Sequence, residues 1–333
     1  MLGPQKPTVD ISIGGSPAGL FIGNALKDFT YSDVHHGEVD EIHFTLADSS
    51  GLWRGSWGID EGTEITAIIG YAGLLGAKVP CGTYAVDEVE AQGDSSGDSV
   101  VFKALAAFTS KDLRTKRSEA YDQMSMKDIV GRVAGRHGLR VVGEIPDLKF
   151  ERISQNKESD LAFMTRFAED WGCYFSVKGD QLVFTTRSSI ENAPPVRVFN
   201  LITGDRSMRY SLRKSTHNLY KKAEAKYLNP KSKQLLTAVR EDPRVPSGDT
   251  LKIDDRAETQ SHAERQCEAH LARENDQLGT GKLSLVGDPL LVSGQVIQLG
   301  ATFGRYAGRW LVTAAEHNFG ASGYTTSLNL KVL

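Results

Sequence analysis

From Thr8 to about Leu105 apolar residues never recur with the 3.6-residue period of a helix; they alternate with polar ones in short stretches. Thr8 to Ile13, Val39 to Ala47, Thr63 to Ile69, Gly82 to Val89 and Ser99 to Leu105 each read as a strand closed by a Gly, Asp or Ser cluster. Alternation buries one face only when the stretch lies in a sheet, so this front segment is predicted to form a β-barrel or sandwich.

The period changes after Arg114. Ser125 followed by Asp128 has the spacing of a capping box, and Met126, Ile129, Val130, Val133 and His137 repeat at three to four residues before Gly138, which predicts a helix. A second helix starts at Ser159 or its neighbour, presents Leu161, Met164, Phe167, Ala168 and Trp171 on one face, and stops at Gly172. Cys173 to Val177 and Gln181 to Thr185 form a hairpin over Lys178-Gly179-Asp180, completing an α/β unit over residues 116–187. Pro194-Pro195 marks a boundary. Beyond it, Asn218 to Tyr227 and Gln234 to Arg240 read as a hairpin with an exposed polar face. A helix over about residues 255–277 follows, with Ala257, Ser261, Cys267 and Leu271 as its buried stripe. Lys282 to Val286, Gln295 to Leu299, Arg309 to Phe319 and Tyr324 to Val332 return to strands. The expected fold is mixed and mainly β: two β modules flank an α/β domain, and a helix interrupts the second of them.

At 333 residues, and roughly 100–200 residues per domain, the chain holds two or three domains. Its 40% hydrophobic and 24% charged residues exclude a disordered or fibrous protein. The start of the chain lacks the continuous apolar core of a Sec signal, and no apolar run approaches membrane-spanning length. Cys81, Cys173 and Cys267 stand far apart in sequence, without the spacing of a zinc site or disulfide framework, which fits folding in a reducing cytoplasm. The net charge of −3 is unevenly spread: residues 1–115 carry 7 basic against 16 acidic residues, and residues 201–333 carry 19 against 14. An acidic front and a basic back can attract each other between neighbouring copies.

Templates for chemistry fit poorly. Gly14-Gly-Ser-Pro-Ala-Gly19 lacks the lysine of a phosphate loop, and Pro17 lacks the N–H that an oxyanion site behind Ser16 needs. His262, Cys267 and His270 share a predicted helix without sharing one face, so they read as an ordinary helix surface with a buried cysteine rather than as metal ligands. Glu151 and Asp160 approach the spacing of a lysozyme-like acid–base pair, but the threonine that should follow is misplaced, and Asp160 also suits the start of a helix. The most concentrated feature is the basic run of Arg206, Arg209, Arg213, Lys214, Lys221, Lys222, Lys226, Lys231 and Lys233, with Glu224 its only acid. It suits an acidic protein partner, a solvated strand face or nucleic acid phosphates. Trp53 and Trp57, in the glycine-rich stretch Gly51 to Gly58, suit either an interface anchor or core packing under a loop.

Asp122-Gln-Met-Ser-Met-Lys-Asp-Ile-Val-Gly-Arg-Val-Ala-Gly-Arg-His-Gly-Leu139 and Gln155-Asn-Lys-Glu-Ser-Asp-Leu-Ala-Phe-Met-Thr-Arg-Phe-Ala-Glu-Asp-Trp-Gly-Cys-Tyr-Phe175 resemble the phage late control D proteins, baseplate hub proteins of contractile tails. Glu61 to Tyr71, Gly294 to Leu299, Gly308 to His317 and Gly323 to Leu330 agree, so the resemblance spans nearly the whole chain. It implies a non-enzymatic structural hub without cofactor or metal. Three subunits, each with two related β-barrels, would form a pseudo-sixfold ring that joins a sixfold tail tube to a threefold spike. The first barrel would cover 1–115, the middle α/β domain 116–199 plus 243–278, and the second barrel 200–242 plus 279–333. Type VI secretion spike proteins share the module but continue into a needle, so a chain ending at Leu333 implies a separate spike protein.

The implied partners are therefore two further copies, a tail tube protein, a spike protein and other baseplate proteins, with DNA able to pass through the ring and no stable membrane association. The implied location is the bacterial host cytoplasm during assembly, then the virion or injection particle. The expected interface residues are Arg213, Lys214, Lys221, Lys222, Lys226, Lys231, Lys233, Trp53 and Trp57, and reversing charges between Lys221 and Lys233 is expected to weaken assembly. The contrasting readings are a phage-associated peptidoglycan hydrolase acting through Glu151 or Asp160, and a monomeric carbohydrate or nucleic-acid binding module.

Overall fold

The computed structural model describes residues 6–73, 76–95, 97–106, 113, 115–201, 207–229, 234–255 and 257–333. The front segment folds into β1 (Pro7–Ile13), β2 (Ser16–Pro17), a single helical turn α1 (Gly19–Ile22), β3 (Leu26–Val34), β4 (Glu41–Ala47), β5 (Glu64–Tyr71), β6 (Lys78–Asp94) and β7 (Gly97–Ala106). Inward positions carry Phe29, Ile42, Phe44, Ile65, Tyr84 and Phe102, all at most 1% exposed. Gly14 and Gly15, at φ +54° and +78°, form the two-residue turn between β1 and β2. Two successive positive φ values match the twist of a tight hairpin and favour glycine, so this motif is a turn.

The middle domain contains β8 (Lys116–Ser125), α2 (Met126–Arg136), β9 (Arg140–Val142), β10 (Lys149–Ser159), α3 (Asp160–Asp170), β11 (Cys173–Lys178), β12 (Gln181–Thr186) and the short α4 (Arg187–Glu191). The Ser125–Asp128 capping box forms, and the Ser159 hydroxyl accepts the Ala162 N–H at 3.2 Å. Both helices bury their apolar faces, and Gly138 and Gly172 end them at φ +66°.

The remaining strands are β13 (Arg197–Phe199), β14 (Arg209–Lys214), β15 (Tyr220–Asn229), β16 (Gln234–Glu241), β17 (Asp249–Ile253), β18 (Gly279–Val286), β19 (Val296–Leu299), β20 (Gly308–Gly320) and β21 (Gly323–Val332), with helix α5 (Gln260–Glu274) between β17 and β18. β13, β14 and β18–β21 make a second β module around Trp310, Val312, Leu328 and Leu299. Antiparallel pairing of β20 with β3 joins it to the front module in one 13-stranded sheet. Within that sheet the modules repeat one strand order, β3-β4-β7-β6-β5-β1 and β14-β18-β21-β20-β19-β13. They differ at the last pair, antiparallel for β1–β5 and parallel for β13–β19.

Three expectations change. No strand pairing among the described residues closes either module into a barrel: in the front module the free side of β3 is taken by β20, and in the second the outer side of β14 has no strand beside it. The hairpin β15–β16 lies outside the second module's sheet and pairs with β17. Its inward Ala223, Ala225 and Tyr227 pack on Ala263, Cys267 and Leu271 of α5, so the interrupting helix covers a small sheet of its own and leans on α3, with the Arg265 side chain donating to the Trp171 carbonyl at 3.0 Å. Ser261 is exposed rather than part of the buried stripe, because α5 starts at Gln260 with Thr259 as its cap and turns Ala263 inward.

Candidate assembly surface and the junctions behind it

The two β modules meet along β20 and β3, in the register Ala314–Val34 to Phe319–Phe29. Alternation gives the joint two faces. On the core side Phe319 meets Phe29 edge to face, and His317 stacks on Tyr31 with ring centroids 5.7 Å apart. On the polar side the Thr30 hydroxyl donates to Asn318 Oδ1 at 2.8 Å. His317 is fully buried; its Nδ1 lies 2.8 Å from Tyr324 Oη and 3.2 Å from Thr326 Oγ1. Burial pushes its pKa down to about 4.

Acid should therefore destabilise this joint. The unfolded histidine takes up a proton near pH 6.5, whereas the folded one stays neutral to about pH 4. The contribution of neutral His317 is complete above pH 6.5 and is lost as the pH falls toward 4. Denaturant unfolding of His317→Gln should lose less stability across that interval than the parent chain. An identical pH dependence would place the proton uptake elsewhere.

The middle domain is seated on the sheet through charge. Lys178, at the end of β11, donates to Asp33 Oδ1, to Asp40 Oδ1 at 2.6 Å and to the Val34 carbonyl at 2.7 Å. Asp33 also accepts the Ser293 N–H at 2.6 Å and the Ser293 hydroxyl at 2.8 Å. One ammonium thus ties together the front module, the middle domain and the second module. Burial acts to raise the Asp33 carboxyl, but Lys178 and Ser293 override it and hold it below the usual range. Asp40, with less compensation, is raised by burial to about 6. A second tie forms at Lys331, 6% exposed, which donates to Tyr174 Oη at 2.6 Å, Asp276 Oδ1 at 2.8 Å and Glu191 Oε1 at 3.0 Å.

Between these ties a cleft of about 480 Å³ opens, lined among others by His35, Tyr174, Lys282, Glu316 and Lys331. Burial drives the His35 pKa down to about 3, leaving it neutral, and Lys331 is consumed by its three acceptors. A histidine held neutral is no general acid at neutral pH.

The two carboxylates of the contrasting hydrolase reading do not come together as an open pair. Asp160 is 0% exposed and is held by Arg136 Nη1 at 2.7 Å to each oxygen, His137 Nε2 at 2.7 Å and Gln155 Nε2 at 2.8 Å. Burial acts to raise its carboxyl, and the bonds from Gln155, Arg136 and His137 outweigh that and hold it low. A sealed carboxylate cannot reach a substrate, whereas Glu151 stands exposed on β10. The metal candidates also diverge: His262 packs against Trp171 and Phe150, while the Cys267 thiol faces the Ala238 carbonyl at 3.6 Å. His270 instead meets Asp170 and Asp255, a trio whose donor atoms lie within 4.8 Å of one another. Arg273 Nη2 lies 3.5 Å from His270 Nδ1 and can only donate, so the His270 proton belongs on Nε2, facing the carboxylates. Burial lowers the His270 pKa, so the ring is neutral and in that tautomer its Nε2 turns a proton rather than a lone pair toward Asp255 at 3.3 Å and Asp170 at 3.9 Å.

The basic run is divided between two sheets. Arg209, Arg213 and Lys214 lie on β14, an end strand of the large sheet, and all three are exposed. Lys221, Lys222 and Lys226 lie on β15 in the small sheet, where Lys222 pairs with Glu224 at 2.7 Å and Lys221 reaches the Asp242 carbonyl at 3.3 Å. Arg206, Lys231 and Lys233 lie outside the described residues. In the loop after β4, Trp53 is 7% exposed and Trp57 44% exposed, with their rings in edge contact at 5.8 Å. Buried Asp48 holds this loop by accepting the Trp53 N–H at 2.9 Å and Arg54 Nε at 2.8 Å. Trp53 is thus core and Trp57 surface. β3, the strand that carries the joint, escapes sequence reasoning because its third inward position is Asp33, which disguises the alternation of Phe29 and Tyr31.

A duplicated β platform, an α/β domain docked through buried ion pairs, and exposed sheet ends define a structural assembly component. The comparisons agree. The phage tail baseplate hub (GPD) family pattern matches residues 82–323, and the chain belongs to this family. A probable baseplate hub protein of Escherichia phage 186 is 25% identical, over 98% of this chain and 95% of its own. The 43 kDa tail protein of prophage MuSo2 from Shewanella oneidensis shares the fold with a TM-score of 0.74 at 14% identity, covering 98% of both chains. An E. coli protein that is a component of the type VI secretion system superposes with a TM-score of 0.56 at 12% identity, over 98% of this chain and 77% of its own. The protein is a structural component of the phage tail baseplate. Among the described residues, no helix is long and apolar enough to cross a membrane.

Proposed function

We propose that three copies close into a ring of six β modules that joins the sixfold tail tube to a threefold spike, and that the chain carries this role without catalysing a reaction. The observation that supports the ring is the repeated strand order of the two modules within one sheet. Two like modules per subunit give a trimer six similar positions, so a threefold assembly presents near-sixfold symmetry to a tube. The partners under this reading are the tube protein, a spike protein and other baseplate proteins, and the subunit assembles in the host cytoplasm before joining the virion. The absence of catalysis is supported by the sealed Asp160, which no substrate can reach.

Light scattering on the full chain, alone and with a co-expressed spike protein, tests the ring. The expected mass of the hub is three times 36.4 kDa. A monomer in both samples would overturn it, and turnover of purified peptidoglycan would overturn the non-enzymatic reading.

A further inference from the structure

From the duplicated sheet we infer a second joint, formed between copies: the free side of β6 over Glu88–Asp94 pairs antiparallel with β14 of a neighbouring copy, matching Glu90 to Arg213 and Asp94 to Arg209. This rests on the ring reading and gives it a register.

The strand order makes β6 the counterpart of β20, and β14 the counterpart of β3. β20 and β6 carry the same irregularity. The ladder of β20 with β21 shifts between Val312 and Ala314, and that of β6 with β7 shifts between Val86 and Glu88. Superposing the two bulges sets Ala315, opposite Leu328, on Val89, opposite Phe102. The next ladders carry the match across the sheet: Leu328 faces Leu283 and Phe102 faces Phe44, while Leu283 faces Tyr210 and Phe44 faces Phe29. Tyr210 therefore occupies the position of Phe29.

The register of β20 with β3 then transfers residue by residue. Glu316–Ser32 becomes Glu90–Arg213, His317–Tyr31 becomes Ala91–Leu212, Asn318–Thr30 becomes Gln92–Ser211, and Phe319–Phe29 becomes Gly93–Tyr210. One residue further along, Asp94 meets Arg209. Two opposite-charge pairs thus fall in register on the polar face, and opposite charges at cross-strand positions stabilise pairing. Gln92 and Ser211 restore the hydrogen bond that Asn318 and Thr30 make, and Tyr210 covers a glycine.

Exposure follows the same logic. Phe29, Tyr31, His317 and Phe319 are buried, whereas their counterparts Tyr210, Ala91 and Gly93 are exposed, Tyr210 at 49%, and Leu212 is half-buried. Among the described residues no strand occupies this side of Glu88–Asp94, nor the outer side of β14. Such edges are templates for another strand, and complementary charge selects β14 against β6 over either edge against itself.

The test is a pair of cysteines, Gln92→Cys with Ser211→Cys, in the full chain; the three native cysteines are buried. Under oxidation the variant should run as covalent dimers and trimers on non-reducing gels. Glu90→Cys with Arg209→Cys, four residues out of register and so roughly 13 Å apart, should stay monomeric on the gel. Charge reversal gives an independent reading. Glu90→Arg and Arg213→Glu should each lower the trimer fraction about tenfold and the double swap should restore it, whereas reversing Lys222 and Lys226, which the sequence alone suggested would weaken assembly, should leave it unchanged because both lie on β15 in the small sheet. Trimers in solution that form no disulfide between positions 92 and 211 would overturn this joint and leave the ring standing. A chain that stays monomeric at every concentration would overturn both.

Discussion

Replacing Lys178 by methionine is expected to destabilise the fold by about 3–5 kcal/mol, the range for removing one partner of a buried ion pair. The size follows from what is left behind. Asp33 and Asp40, both 4% exposed, would face each other without the ammonium that bridges them, and the Val34 carbonyl would lose its donor. The methionine retains most of the stem's packing, so the loss reports the charge. The triple variant Lys178→Met, Asp33→Asn, Asp40→Asn should recover much of it, because neutral amides need no counter-ion. Denaturant unfolding of the single and triple variants checks this. Equal losses in both would show that the two stranded carboxylate charges are not what costs the single variant its stability.

The second large effect is expected at Asp160. Asp160→Ala removes the acceptor shared by Arg136, His137 and Gln155 and leaves the guanidinium only Glu119, at a cost of about 1–3 kcal/mol for each buried donor left unsatisfied. The loss should be local to the middle domain, where Asp160 joins the start of α3 to the end of α2. Amide exchange should speed up in both helices and remain unchanged in the β20–β21 ladder. Uniform acceleration across the whole chain would show that the middle domain and the sheet unfold as one unit. A hydrolase would show the opposite balance, with lost turnover and little lost stability.

Much of the local architecture was legible without coordinates. The Ser125–Asp128 box, the Ser159 cap and the glycines at 138 and 172 act within a few residues, so helix ends follow from composition at short range. The turn at Gly14-Gly15 and the hairpin at Lys178-Gly179-Asp180 are short-range in the same way. The final strands were legible because Phe319, Leu328 and Leu330 alternate with the polar Asn318, Ser327 and Asn329.

Pairing partners were not legible, because a strand's alternation shows which face it buries but not which strand lies beside it. The Tyr220–Asn229 hairpin alternates as a second-module strand would, yet its inward alanines fit against α5, and packing there decides its sheet. The basic run looked continuous along the chain and is divided in space, since the turn after Lys214 sends its two halves into different sheets. Asp160 offered a carboxylate at a suggestive spacing, and only the fold shows Arg136, His137 and Gln155 closing over it. By itself the sequence determined the helix ends, the tight turns and the buried faces, because those depend on neighbours within a turn of chain. The tertiary structure alone decided which strands share a sheet, which charges are spent at internal joints and which edges remain open, because these depend on contacts between residues far apart along the chain.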